Sequence, residues 1–204
     1  MDTQPHTYTA FAETRLVAAG SIEDVALRTK EWLEEGGASV LVFEDQTGQQ
    51  IDLDLRGTHD EALARLQAHP WLQRHQAPEE KRQGPGRPKL GVTSREVSLL
   101  PRHWDWLNEQ SGGASVTLRK LVEEKMKQSQ GADRARKARD AASKFMWSMG
   151  GNLPDFEEAS RAFTRKEYAR FDQLIEAWPE DIRAYMRKLV STAAHAEEEV
   201  AGER

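Results

Sequence analysis

The 204-residue chain contains no cysteine. That excludes disulfide staples, a thiolate nucleophile and Cys-ligated zinc or iron–sulfur centres. It fits a reducing compartment, so the expected location is the cytoplasm. No apolar run approaches the roughly 20 residues that span a bilayer, and no membrane partner is expected. The opening stretch MDTQPHTYTA lacks the basic and apolar regions of a secretory signal. Also missing are a phosphate-cradling glycine loop, a Gly-x-Ser-x-Gly elbow and a His-Glu-x-x-His helix. His59, His69 and His75 offer no pair at i,i+4 spacing and read as surface residues. The expectation is therefore a binding protein rather than an enzyme, with no cofactor and no metal.

What is present is charge, at 31% of residues against 38% hydrophobic, which fits a soluble and partly extended chain. The net charge is only −5, but it is unevenly spread. Residues 1–80 carry 6 basic and 15 acidic side chains, residues 81–140 carry 14 and 7, and residues 141–204 carry 9 and 12. A basic middle between acidic ends points to a polyanionic partner for the middle alone. At physiological salt, charges beyond a Debye length of about 8 Å interfere little with local contacts.

Residues 1–76 read as a small α+β domain of order ββαββα. Two short strands flank Glu13-Thr14. Ser21 caps a helix over Ile22–Glu35 that stops at Gly36-Gly37. Val40–Phe43 and the alternating run Ile51–Arg56 form a hairpin with one buried face around Gln46-Thr47-Gly48. Thr58 caps a helix over Asp60–Leu72. Asp52, Asp54 and Arg56 share one strand face, which alternation explains as a solvated face and which also offers carboxylates to a cation or basic partner.

Residues 77–92, APEEKRQGPGRPKLGV, form a basic Pro/Gly linker. Its Pro85-Gly86-Arg87-Pro88-Lys89 segment resembles an AT-hook, an extended arm lying in a narrow A·T minor groove, with Pro85 where that pattern carries a second Arg. Arg87 and Lys89 read either as groove contacts or as cations of a plain linker. Next come a short strand over Thr93–Leu100 ending at Pro101, a helix over Arg102–Gln110, the Gly112-Gly113 turn and a helix from Ser115 to Met126. That last helix carries Leu118, Leu121, Val122 and Met126 inward. A lone strand needs a mate, and some 35 residues bury too little surface alone, so a homodimer is expected. Residues 93–128 thus resemble the ribbon-helix-helix DNA-binding family, with one extra Leu before the Pro. The resemblance implies an antiparallel two-stranded ribbon in the major groove of double-stranded DNA. It also implies a phosphate clamp at Ser115, Val116 and Thr117, where free helix N–H groups point outward. In one strand register Glu96 and Ser98, with Leu100 after them, face the bases; in the other Arg95 and Val97 do, since a one-residue slip exchanges faces. Arg102 joins the DNA-binding set.

Residues 129–195 read as a helical bundle after a break at Gly131, with a basic run at 134–139, and residues 196–204 as an acidic tail. Thr164-Arg165-Lys166-Glu167 reads as a capping box opening a helix, and Pro179 opens the last one. The Phe145–Met149 cluster reads as core, with a ligand pocket as the other use of such residues. Across nearly its whole length the chain also resembles a bacterial family of uncharacterised proteins, through Phe43-Glu44-Asp45, Gly48, Asp52–Gly57, the Gly-Arg-Pro-Lys segment and Met149–Pro154. The expected function is a dimeric DNA-binding bacterial transcriptional regulator whose terminal domains take a protein or small-molecule partner. The alternative is an antitoxin-like protein-interaction module without strong DNA binding.

Overall fold

The computed structural model describes residues 6–75 and 92–202, and its fold is α+β. Arg87, Lys89 and the rest of the Pro/Gly linker before Val92 lie outside the described residues. In chain order the elements are β1 (Tyr8–Ala12), β2 (Arg15–Gly20), α1 (Ile22–Glu34), β3 (Val40–Glu44), β4 (Gln50–Ile51), α2 (His59–Gln67), α3 (Pro70–His75), α4 (Pro101–Glu109), α5 (Gly113–Gly150), α6 (Phe156–Thr164), α7 (Tyr168–Leu174) and α8 (Glu180–Gly202). The chain divides into two compact units: Met1–Gln73 together with Gly131–Arg204, and Arg74–Gln130. The sequence pattern had suggested that the two ends are separate domains.

The first unit is built on an antiparallel sheet of order β2-β1-β3-β4. All five residues of β1 are buried. Successive strand side chains point to opposite faces, and here each face meets its own core. Tyr8, Ala10 and Val42 pack with Ile22, Val25, Leu66 and Trp71. Phe11 and Phe43 pack with Phe145, Phe163, Tyr185 and Met186 from the C-terminal helices. The hairpin expected to bury one face is covered on both, and its unbroken apolar run Val40–Phe43 has that cause. The ring of Phe145 lies 5.3 Å from Phe11, 5.1 Å from Phe43 and 4.5 Å from Tyr185.

Local signals explain most boundaries. Ser21 Oγ accepts from Asp24 N, and Thr58 with Glu61 forms a complete capping box. Other boundaries differ from expectation. The strand expected over 51–56 shrinks to Gln50–Ile51, because Asp54 turns back to take Arg56 in a bidentate pair. The helix expected over 60–72 is cut in two ahead of Pro70, which cannot continue a hydrogen-bonded ladder. Gly131 does not break α5, which runs through the boundary between the units. Nor does Thr164 open a helix: it closes α6, donating to Ser160 O. The tail expected from 196 is helical to Gly202.

Gly48 shows how tightly the sheet meets α5. Its φ is +63°, and a Cβ there would sit 2.3 Å from the Ala141 carbonyl oxygen. Phe145 is fully buried at the same junction. Phe145→Ala is expected to cost about 3–5 kcal/mol, read as a lowered urea midpoint. Because Phe145 touches both ends of the chain, signals from the sheet and from the C-terminal helices should move together.

Candidate nucleic-acid interface and the polar sites beside it

The residues expected to contact DNA that are described all fall in the second unit. Arg95, Glu96 and Ser98 are exposed on residues 92–100, which carry no regular secondary structure and form no strand in the single chain. A strand without a mate has no ladder. Pro101 then starts α4 in its first turn, with Arg102 exposed behind it. The Gly112-Gly113 turn has φ values of +98° and +71°, and a Cβ on Gly112 would press into Val116 at 3.2 Å. The turn therefore demands glycine, and it starts α5 at Gly113, two residues ahead of the expected cap. Ser115 is exposed in the first turn rather than capping it; Val116 and Thr117 beside it are half-buried. In that turn the Gly113 N–H already donates to Gln110 O at 3.0 Å.

The helix positions expected to face inward do not. Leu118 is half-buried, while Leu121, Val122 and Met126 are exposed, with Val97, Leu100, Trp104 and Trp106 exposed in the same unit. Leu107 is the buried residue of α4. The helical spacing was legible, but among the described residues Leu121, Val122 and Met126 of the stripe stay exposed.

The basic run 134–139 belongs to the other unit and is largely engaged. Arg134 pairs with Glu199, Arg136 with Asp133 at 2.9 Å, and Arg139 with Glu197 at 3.4 Å. A count of charges along a short window cannot see that Arg134 and Arg139 pair with carboxylates some 60 residues downstream. Within 92–130 there remain six basic and five acidic side chains.

A second polar cluster was not anticipated. Asp45 follows β3 and is 8% exposed. Its Oδ1 accepts from Thr9 Oγ1 at 2.8 Å and Tyr185 OH at 2.6 Å; its Oδ2 accepts from Thr7 Oγ1 and Lys188 Nζ, both at 2.8 Å. Burial alone would raise its pKa, but the hydrogen bonds from Lys188, Tyr185, Thr9 and Thr7 together hold it below the usual carboxylate value. Tyr185 is pushed the other way, by burial and then by the Asp45 charge. Next to it, fully buried Glu44 meets His6 Nδ1 and the Thr47 hydroxyl. Among the described residues no group of three or more His, Asp or Glu is placed to hold a metal ion, and no helix is long and apolar enough to cross a membrane.

These features define an α+β protein with a two-sided sheet core and an inserted helical unit that leaves apolar surface open. Residues 7–190 match the model of a bacterial family described as "Uncharacterized protein conserved in bacteria (DUF2239)", and the chain belongs to that family. No curated protein and no solved structure matches it. The segments that carried the resemblance now have physical roles: Asp45 holds the sheet to α8, and Gly48 lets the hairpin touch α5.

Because the native pKa of Asp45 is depressed, its stabilisation is complete above the ordinary carboxylate pKa of about 3.9. It is lost as pH falls from there toward the native value. Asp45→Asn keeps one acceptor oxygen and forfeits the other, at a cost of about 2–3 kcal/mol. Urea titrations from pH 7 to 3 should show the variant weaker at neutral pH and less weakened by acid. Parallel acid limbs would overturn this role for Asp45.

Proposed function

We propose that this protein is a dimeric DNA-binding protein, acting as a transcriptional regulator, with the second unit as its grip. The observation that carries the reading is the apolar surface left open there: Val97 is 57% exposed, Val122 55% and Met126 52%. Contiguous exposed apolar surface marks an association site, since leaving it in water forfeits about 25 cal/mol per Å². A second copy supplies what this unit lacks on its own, a strand mate for residues 92–100 and a cover for the α5 stripe. Pairing two such segments would bring Arg95, Arg102 and the first turn of each α5 toward one duplex, in the manner of the ribbon-helix-helix proteins it resembles. Arg87 and Lys89, next to this unit in sequence, would supply further phosphate or minor-groove contacts.

A second reading is favoured by one observation. With Arg134, Arg136 and Arg139 engaged internally, the cations left for DNA are fewer than composition suggested. The same apolar surface would then receive a different protein, antitoxin-like, with weak DNA affinity.

Two measurements separate the readings. Sedimentation of the intact chain should give a dimer, and Val122→Glu with Met126→Glu should yield monomer. Duplex binding should weaken steeply with salt. Arg87→Ala with Lys89→Ala should reduce the log–log slope by about 2, roughly 0.9 for each phosphate no longer neutralised. A dimer with no duplex binding at low salt would remove the DNA reading and leave the interaction module. A monomer would remove both the homodimer and the grip built on it.

A further inference from the structure

A cleft of about 650 Å³ lies wholly inside the first unit, between the second half of α5 and the end of α8. Its size falls within the range of small-molecule sites, about 300–1,000 Å³. Its lining mixes apolar Ala135 and Val200 with the cations Arg136, Arg139 and Lys166 and with Glu197. The cations of the lining outnumber its carboxylates by three to two, the acids being Asp140 and Glu197.

The cleft already holds an anion of its own. Glu197 is 15% exposed, accepts from Tyr168 OH at 2.9 Å and forms an ion pair with Lys166 Nζ at 3.1 Å. Burial and the bond to Glu197 push the Tyr168 pKa up to about 12, so it stays a donor at neutral pH. Arg139 is less well served. Its Nη2 donates to Thr164 O at 3.2 Å and its guanidinium lies over the Phe163 ring. Its Nε is shut off from water yet makes no hydrogen bond, the nearest Glu197 oxygen being 3.4 Å away. A buried donor left unmade is costly, and such an atom in a native protein calls for an explanation.

Lys166 adds a second oddity. Lys166 N bonds Phe163 O and Glu167 N bonds Ala162 O, the two bonds of a Schellman helix end. The residue at that turn is left-handed, with φ +62°. Glycine takes this conformation without strain, whereas a side chain is strained by it. A lysine there places its ammonium on Glu197 in the cleft at a cost to the backbone.

We infer that this cleft binds a small monoanionic carboxylate with a short apolar body, its head taking the place of Glu197 among Lys166, Arg139 and Tyr168 and its body lying along Ala135 and Val200. With Arg136 already paired to Asp133, a dianion would face Asp140 and Glu197 with too few cations, whereas a single negative charge can replace that of Glu197. Such a site is independent of DNA binding by the second unit.

The test uses the intact chain, calorimetric titration and three probes: hexanoate, hexyl phosphate and inorganic phosphate. Hexanoate should bind saturably and more tightly than either phosphate. Glu197→Gln, which keeps the side-chain shape and removes the internal competitor, should tighten hexanoate several-fold, an effect opposite to structural damage. Lys166→Gly with Arg136→Gln should weaken it at least ten-fold while the circular dichroism spectrum stays unchanged, since glycine suits that backbone. Arg161→Gln, outside the cleft, should leave binding alone. No saturable binding of hexanoate by the folded parent would overturn the site. So would equal binding by the Lys166/Arg136 variant. Tighter binding of hexyl phosphate would overturn the carboxylate assignment, and equal binding of inorganic phosphate would overturn the role of Ala135 and Val200.

Discussion

Everything in the first unit depends on β1 being covered on both faces. A strand of alternating side chains ordinarily gives one face to solvent. Here Tyr8 and Ala10 feed one core while Phe11 feeds another. The second core is completed by residues from the far end of the chain, so the two ends share a fold rather than a linker. Asp45 stands at that seam, drawing donors from β1 and from α8 onto one carboxylate. Leu16 N bonding Asp181 Oδ2 at 2.8 Å ties β2 to the same helix. Aromatic packing provides the bulk of the hold, and the buried carboxylate gives it direction, because a charge with four donors has few other geometries available.

Much of the local structure was legible in the chain. Ser21 and Thr58 cap where their hydroxyls reach free N–H groups, and Pro101 opens a helix where a missing N–H does no harm. The failures came where a weak local signal met a stronger distant one. Gly131 costs a helix about 1 kcal/mol, less than the burial of Ala135, Ala141 and Ala142 further along the same helix returns. Thr164-Arg165-Lys166-Glu167 has the letters of a capping box, yet the preceding helix ends there in a left-handed turn, and the letters carry no sign of which neighbour claims the backbone.

The candidate site was legible in part for a similar reason. Spacing marked Leu121, Val122 and Met126 as one face, and among the described residues that face is exposed. Charge windows marked 134–139 as basic, and that was true of composition but not of availability. Glu197 and Glu199 sit near Arg139 and Arg134 only because α8 lies along α5. An ion pair joining positions some 60 residues apart is a property of the fold, and no short window along the sequence contains both members. The Asp45 cluster was missed likewise: its donors come from positions 7, 9, 185 and 188.

The shared core also has a meaning for how the chain comes to be folded at all. Phe11 and Phe43 are made before the Phe145 and Tyr185 that cover them, which come more than 100 and 140 residues after. Long-range closure of this kind is slow, because chain entropy is lost before the contacts compensate for it. During synthesis, at about 5–20 residues per second, one face of the emerging sheet therefore waits uncovered for many seconds. The second unit is threaded into the middle of that delay. The sheet is made before the helices that cover it and is completed only after them.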